Sequence, residues 1–284
     1  MPGPGPLPAR GDGPRVLVQA GLGRALGREG LGVRGVATIA ASSADPRLAL
    51  PEVAGKVAAE VADALGRGDL PLVLGDCSSA VGAVAALAAA LAGDVVLIWL
   101  DAHGDLNTPE TSLSGYLGGM PLAVITGRGP EWWARGVEAG LPLPDRCVAL
   151  VGTRDLDPAE VTAVATGGIR IFPASLLRDP AARAGALQEI RDRISQASGV
   201  FFHLDVDVFD PALVPAVAFP VARGLTFADV FDLACCCRGS STTVLSVASF
   251  DPCAPGAAAP AERLVACVGG LARVLVCPPT ASKE

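Results

Sequence analysis

Aromatic residues are scarce in this chain. They make up 4% of it, with a single tyrosine and three tryptophans. Ala, Val, Leu and Gly therefore carry the apolar content. At 51% hydrophobic and 18% charged, 284 residues can still bury a large core, as one large domain or two small ones. Basic residues are also in deficit: 22 Lys and Arg face 29 Asp and Glu, a net charge of −7. A nucleic-acid binder needs a basic face to meet phosphates, and a polybasic membrane anchor needs a run of cations, so neither partner is expected. There is no CxxC pair, which removes a zinc knuckle. The eight cysteines do not form a disulfide framework. Three of them (Cys235, Cys236, Cys237) are consecutive, which suits a buried segment in a reducing compartment. The opening MPGPGPLPARGDGP lacks the apolar core of a signal peptide. No apolar run is long enough to span a bilayer, because Ser79 to Leu100 is interrupted at Gly93–Asp94 and reads as a helix followed by a strand. These absences imply a soluble cytoplasmic protein.

Residues 1–13, rich in Pro and Gly, are expected to form a disordered tail. Residues 14–284 show neither a repeat nor a dividing linker and read as one domain. Apolar runs at 70–74, 95–100, 147–151, 199–204 and 243–248 predict buried strands. Helix-compatible stretches at 52–66, 79–92, 158–166, 181–196 and 257–272 lie between them. Strands apolar throughout and separated by helices imply an α/β fold, a three-layer α/β/α sandwich around a mostly parallel sheet. Ligands of such sheets bind beyond the carboxyl ends of the strands. Three strands run directly into polar residues: Gly75-Asp76-Cys77-Ser78, Asp101-Ala102-His103-Gly104-Asp105, and Asp205-Val206-Asp207.

In an extended chain, alternate residues point to one side, so DAHGD can offer two carboxylates and an imidazole together, and LDVD two more carboxylates. Four aspartates meeting at one sheet edge repel each other, and their pKa values rise unless positive charge is supplied. Two divalent cations would supply it, and oxygen-rich sites with some imidazole suit Mn²⁺ or Mg²⁺ better than soft metals. A single Asp after a strand is commonly only a helix cap; two clusters together are not explained that way. Of the two histidines, His103 is a candidate ligand. His203 is read as turned away from the neighbours of Asp205 by strand alternation, in a core or supporting role.

GDCS (75–78), DAHGDLNTPETSLSGYLGGMPL (101–122), GTRDLDPAE (152–160) and HLDVDVFDPALVP (203–215) resemble the arginase/agmatinase family, the ureohydrolases. The resemblance extends over roughly residues 13–275, and GPRVLVQAGL is similar to that family's first helix. It implies two Mn²⁺ per chain, one held by Cys77, Asp101, Asp105 and Asp205, the other by His103, Asp101, Asp205 and Asp207, with Asp101 and Asp205 bridging. It further implies that a hydroxide between the metals attacks a guanidino carbon. Asp105 would hold that hydroxide and pass its proton to the departing nitrogen. Asn107, Ser112 and Ser114 match positions that hold an α-carboxylate. Asp157 matches the one that meets an α-amino group, with Glu160 beside it. An amino-acid substrate is implied, arginine-like rather than agmatine. Relatives often assemble as trimers or hexamers, so a homo-oligomer is possible, although no interface can be read in the sequence.

Several positions depart from the family. Cys77 stands where most ureohydrolases have histidine; with the following GYLGGM it most resembles the N-hydroxyarginine hydrolase branch, which serves antibiotic biosynthesis and releases hydroxyurea. Gly118 replaces a proton-shuttling histidine. Ser249 replaces a glutamate that grips the guanidinium, leaving Asp251 as a possible substitute or the activity impaired. Phe219 replaces a small polar residue near the pocket. Residues 1–13 are poorly suited to form the family's first strand, so one sheet edge is expected to be missing or differently built.

Three rival readings follow from the same residues. VLVQAGLGRALG (16–27) can be taken as a strand leading into a glycine-rich nucleotide loop, with Asp45 placed for a ribose. The stretch before Gly30 and Gly32 is too short for a crossover helix, and this reading leaves the aspartate clusters unexplained. A metal-binding relative without catalysis is the second, and another amidino or formimino compound as substrate belongs beside it. The third is a reactive-cysteine enzyme built on Cys77 at a helix N-terminus.

Overall fold

The computed structural model of the protein describes residues 12–276. Most of the expected tail, residues 1–11, lies outside the described residues. The last two residues of that expected tail are ordered: Asp12 accepts a hydrogen bond from the Arg15 amide and caps α1 (Gly13–Gln19), with Pro14 in the first turn. Next come α2 (Leu22–Arg28) and α3 (Pro46–Gly66), then β1 (Leu72–Gly75), α4 (Ser79–Ala90) and β2 (Val95–Leu100). The short α5 (Pro121–Ile125) precedes β3 (Val148–Val151), α6 (Pro158–Thr166), β4 (Arg170–Phe172), α7 (Ala174–Arg178) and α8 (Pro180–Ser195). β5 (Gly199–Asp205), α9 (Phe227–Cys236), β6 (Thr242–Ala248) and α10 (Ala258–Val276) complete the described chain.

The strands form one all-parallel sheet in the order β1-β6-β5-β2-β3-β4. Alternation along each central strand feeds two separate cores. Val96, Ile98 and Leu100 of β2 and Val200, Phe202 and Leu204 of β5 pack with α1, α2, α8, α9 and α10. Val95, Leu97 and Trp99 of β2 and Phe201 of β5 pack with α3, α4 and α5. The result is the three-layer arrangement expected from strands apolar on both faces. α4 lies tight against α3: a Cβ at Gly82 would collide with the Ala54 carbonyl, so the close approach requires glycine there.

The five anticipated strands and five anticipated helices are all present, within a few residues at their ends except that α3 begins at Pro46, six residues before the expected start. β4 went unanticipated because three residues, one of them an exposed arginine, leave no readable apolar run. α9 does carry a local signal, the capping box of Thr226 and Asp229. Residues 16–19 are helical rather than extended, and Gly23 and Gly27 lie inside α2, which removes the nucleotide-loop reading. β1 pairs only with β6 and forms a sheet edge among the described residues. Every described cysteine is free, and no described helix is long and apolar enough to cross a membrane.

Candidate metal centre

The chain reaches β2, builds outward through β3 and β4, then returns to insert β5 between β6 and β2. The loops after β2 and β5 therefore leave adjacent strand ends in different directions and open a crevice between them. Register does the rest. Trp99 lies opposite His203 and Leu100 opposite Leu204, so Asp101 and Asp205 emerge side by side. Each cluster fixes its own geometry and also its neighbour's. Asp101 Oδ1 accepts from the His103 amide at 2.7 Å, Asp205 Oδ1 from the Asp207 amide at 2.8 Å, and Asp207 Oδ1 from the Ala102 amide at 3.1 Å. Asp105 adopts φ 52°, a left-handed conformation that aspartate tolerates at some cost and that is characteristic of functional positions.

All six residues expected to hold metal meet here and line one cavity of about 490 Å³. Two close donor groups can be distinguished, with ligand atoms within 4.8 Å of one another: Cys77, Asp101, His203 and Asp205, and Asp101, His103 and Asp207. Asp101 belongs to both. His103 Nδ1 lies 3.4 Å from Asp101 Oδ1 and 3.1 Å from Asp207 Oδ2. Asp105 belongs to neither close group, yet its carboxylate is buried against both, and its Oδ2 has no hydrogen-bond partner.

The electrostatics are those of a site short of positive charge. Burial, then the charges of Asp101 and Asp205, push Asp105 well above the usual carboxylate range. Burial, then Asp207 and Asp101, do the same to Asp205, and burial with Asp101 raises Asp207. Burial followed by Asp205, Asp105 and Asp101 pushes the Cys77 thiol up, which opposes a free reactive thiolate. For His103, burial opposes charging but is outweighed by hydrogen bonds and charge from Asp101 and Asp207, so its pKa is pushed up to about 12. Burial also works against ionised Asp101, yet the hydrogen bond and charge of His103 hold it below its ordinary value. Among the described residues, no lysine or arginine side chain lines the cavity. Four buried carboxylates, an unpartnered oxygen and nearby sulfur and imidazole donors fit divalent cations, which would replace the missing charge.

The residues expected to contact substrate line the same cavity. Asn107 Nδ2 donates to Asp157 Oδ2 at 2.8 Å, and the hydroxyls of Ser112 and Ser114 lie 3.5 Å apart. Glu160 lines the cavity too, beside Asp157. It is buried, and its two oxygens accept from the Leu106 and Asp157 amides, each at 2.9 Å, so it braces the loop after β2 against the start of α6. Arg154 was not singled out from the sequence. Its guanidinium donates to the carbonyls of Gly152, Asp207, Val208, Phe209, Val221 and Ala222 and ties the loop after β5 in place. An arginine serving carbonyls rather than carboxylates leaves no sequence signal, since its partners are backbone.

The reading of His203 needs correction. Residues two apart in a strand share a face, so His203 and Asp205 point the same way. His203 is fully buried, stacks on Trp99 with ring centroids 3.8 Å apart, and places a ring nitrogen in the first donor group. Burial pulls its pKa down to about 4 against the charge of Asp101. Ser249, at φ 65°, turns its hydroxyl onto Asp205 Oδ2 at 2.5 Å, and Cys77 Sγ lies 2.8 Å from the same oxygen. Asp251 accepts from the Cys253 amide and is not among the cavity-lining residues, so it does not stand in for Ser249. A Cβ at Gly118 would run into the Tyr116 ring and hydroxyl; the tyrosine fills the space a side chain at 118 would need. Phe219 packs edge-on to Tyr116 and His103 at the cavity mouth.

Comparison with known proteins gives a consistent result. A family model described as the arginase family matches residues 8–263. The chain is 33% identical over 225 residues to an arginase of Staphylococcus aureus (strain MRSA252), covering 77% of this chain and 72% of that one. It is 38% identical over 185 residues to an arginase of Bacillus caldovelox, covering 63% of this chain and 60% of that one. The crystal structure of an arginase from Bacillus subtilis superposes with a TM-score of 0.83 at 28% identity, covering 94% and 93% of the two chains.

Proposed function

The chain belongs to the arginase family, and on that footing we propose that it is a binuclear-metal hydrolase of a guanidino or hydroxyguanidino amino acid. The observation that carries the reading is the buried carboxylate cluster at the ends of β2 and β5, with no lysine or arginine of the described residues lining its cavity. Cys77, Asp101, His103, Asp105, Asp205 and Asp207 would hold two divalent cations, with Mn²⁺ the first to try given the oxygen-rich donors. When bound, such cations supply Lewis acidity, lowering the pKa of water and polarising the guanidino carbon.

The protein's own groups divide the remaining work. Asp105, with Oδ2 unpartnered in the cavity, holds a proton and delivers it to the departing nitrogen. Asn107, Ser112 and Ser114 present neutral donors for an α-carboxylate, and Asp157 presents a carboxylate for the α-amino group. Tyr116 and Phe219 wall the mouth and limit entry of bulk water. At the inner end, Ser249 offers a hydroxyl where a guanidinium would meet an acid. An unpaired buried guanidinium is costly, so the less basic hydroxyguanidine of N-hydroxyarginine fits better than arginine. That substrate yields hydroxyurea and would place the enzyme in antibiotic biosynthesis.

The same serine supports a second reading, a metal-binding relative with little or no turnover, because Ser249 Oγ is already engaged with Asp205. A panel assay separates the two. Protein loaded with Mn²⁺ is given N-hydroxyarginine, arginine, agmatine, guanidinobutyrate and formiminoglutamate, and urea, hydroxyurea and formamide are scored. Hydroxyurea release as the fastest reaction is expected. Two metals per chain without hydrolysis of any of these would establish the second reading instead.

A further inference from the structure

We infer that His203 is itself a metal ligand, the imidazole of the inner site, bound through Nε2. The inference rests on the two-metal reading above and concerns a residue which that reading leaves unused.

The placement follows from strand register. Trp99, His203 and Ser246 lie opposite one another across β2, β5 and β6, on the face of the sheet that carries Asp101 and Asp205 one step further along. Trp99 stacks on one face of the imidazole, so the ring cannot turn without losing that contact. His203 Nδ1 lies 3.1 Å from Ser246 Oγ. Its Nε2 is fully buried and lacks a hydrogen-bond partner among the described residues, and a ring nitrogen of His203 lies within 4.8 Å of donor atoms of Cys77, Asp101 and Asp205.

A buried ring nitrogen without a partner is rare and costly unless something outside the protein takes its lone pair. The arrangement matches the usual support of a metal-bound histidine: one nitrogen held by a hydrogen bond, the other without a protein partner among the described residues. With Nδ1–H donating to Ser246, Nε2 carries the lone pair. The inner site then offers one sulfur, one imidazole nitrogen and two carboxylates, whereas the outer site offers the His103 nitrogen with carboxylates. The softer inner set favours Co²⁺ or Zn²⁺ over Mn²⁺ relative to the outer one, so the two sites should fill unequally. Cys77 and His203 thus form a thiolate–imidazole pair contributed by the chain after β1 and by β5.

The chain has only two histidines, which makes the test clean. Protein loaded with Co²⁺ is examined by proton NMR for strongly downfield, exchangeable imidazole N–H signals, with metal content measured in parallel. Two such signals are expected from the unaltered protein, and one from each of His103→Asn and His203→Asn. His203→Asn should drop the tightly bound metal from two ions to one. Ser246→Ala, which removes the Nδ1 partner but keeps the ligand, should weaken inner-site affinity by about 10–100-fold. Unaltered protein that holds two Co²⁺ but shows a single signal, lost in His103→Asn, would overturn the inference and leave the two-metal reading intact. Unaltered protein that binds no metal would overturn both. Because the signal count is made on unaltered protein, the test survives a His203 variant that fails to fold.

Discussion

Metal should stabilise this protein strongly, and the size of the effect can be worked from the site. Each cation bound only by the folded state, at a concentration about 100 times its Kd, contributes about 2.7 kcal/mol. Two independent sites contribute about 5.4 kcal/mol. With an unfolding entropy of roughly 2.1 cal/mol/K per residue, a chain of 284 residues has about 0.6 kcal/mol/K. The midpoint of thermal unfolding should then rise by about 9 °C on adding Mn²⁺ and return with chelator. Asp101 belongs to both donor groups, so Asp101→Asn should abolish most of the rise, leaving a shift of roughly 2 °C or less. The effect should also grow with pH. Asp105, Asp205 and Asp207 are raised in the metal-free fold, mainly by burial. A raised group stabilises the fold fully below its unfolded pKa, about 3.9 for aspartate, and that contribution is lost as pH rises through the folded value. His103 acts in the same direction between its ordinary value and about 12. His203, pulled down to about 4, works the other way up to its ordinary value, but it is one group against four. Metal-free protein therefore weakens on balance as pH rises, while metal binding, which needs these ligands deprotonated, strengthens. Differential scanning fluorimetry between pH 5 and 8, with and without Mn²⁺, measures both trends. A shift that is absent in the unaltered protein, equal in Asp101→Asn, or larger at pH 5 than at pH 8 would refute the reasoning.

Two further substitutions probe the walls of the cavity. Arg154→Ala removes a guanidinium that serves six backbone carbonyls; it should cost about 2–3 kcal/mol of stability and speed hydrogen exchange across residues 206–222. Unchanged exchange in that loop would show that Arg154 does not organise it. Gly118→Ala should push Tyr116 from its place and raise KM more than it lowers kcat, because the contact disturbed belongs to the pocket wall rather than to the metal ligands. Equal losses in kcat and kcat/KM, with KM unchanged, would place Tyr116 in the chemistry instead.

Much of this molecule was legible in one dimension because its signals are local. Apolar runs punctuated by glycine and polar residues mark the five longest strands, and the aspartates directly after β2 and β5 mark the sheet edge where ligands bind. The charge argument also needs no coordinates: carboxylates at alternate positions after two strands demand cations if those strands are neighbours. What local pattern could not supply was the neighbour relation itself. Nothing in residues 95–100 and 199–204 says that they pair, or in what register, because the contacts close only after some hundred intervening residues have folded.

The residues whose meaning changed all depend on that closure. Glu160 gains a bracing role that no local pattern shows, because the Leu106 amide it holds lies more than fifty positions away. Arg154 has no role until the carbonyls of a loop more than fifty positions away gather around it. Composition and motif alone determined the fold class, the acidic edge and its requirement for positive charge. Tertiary structure alone decided which donors gather into one group. It did so through parallel register across β2, β5 and β6, which sets His203 between Trp99 and Ser246 and groups it with Cys77, Asp101 and Asp205.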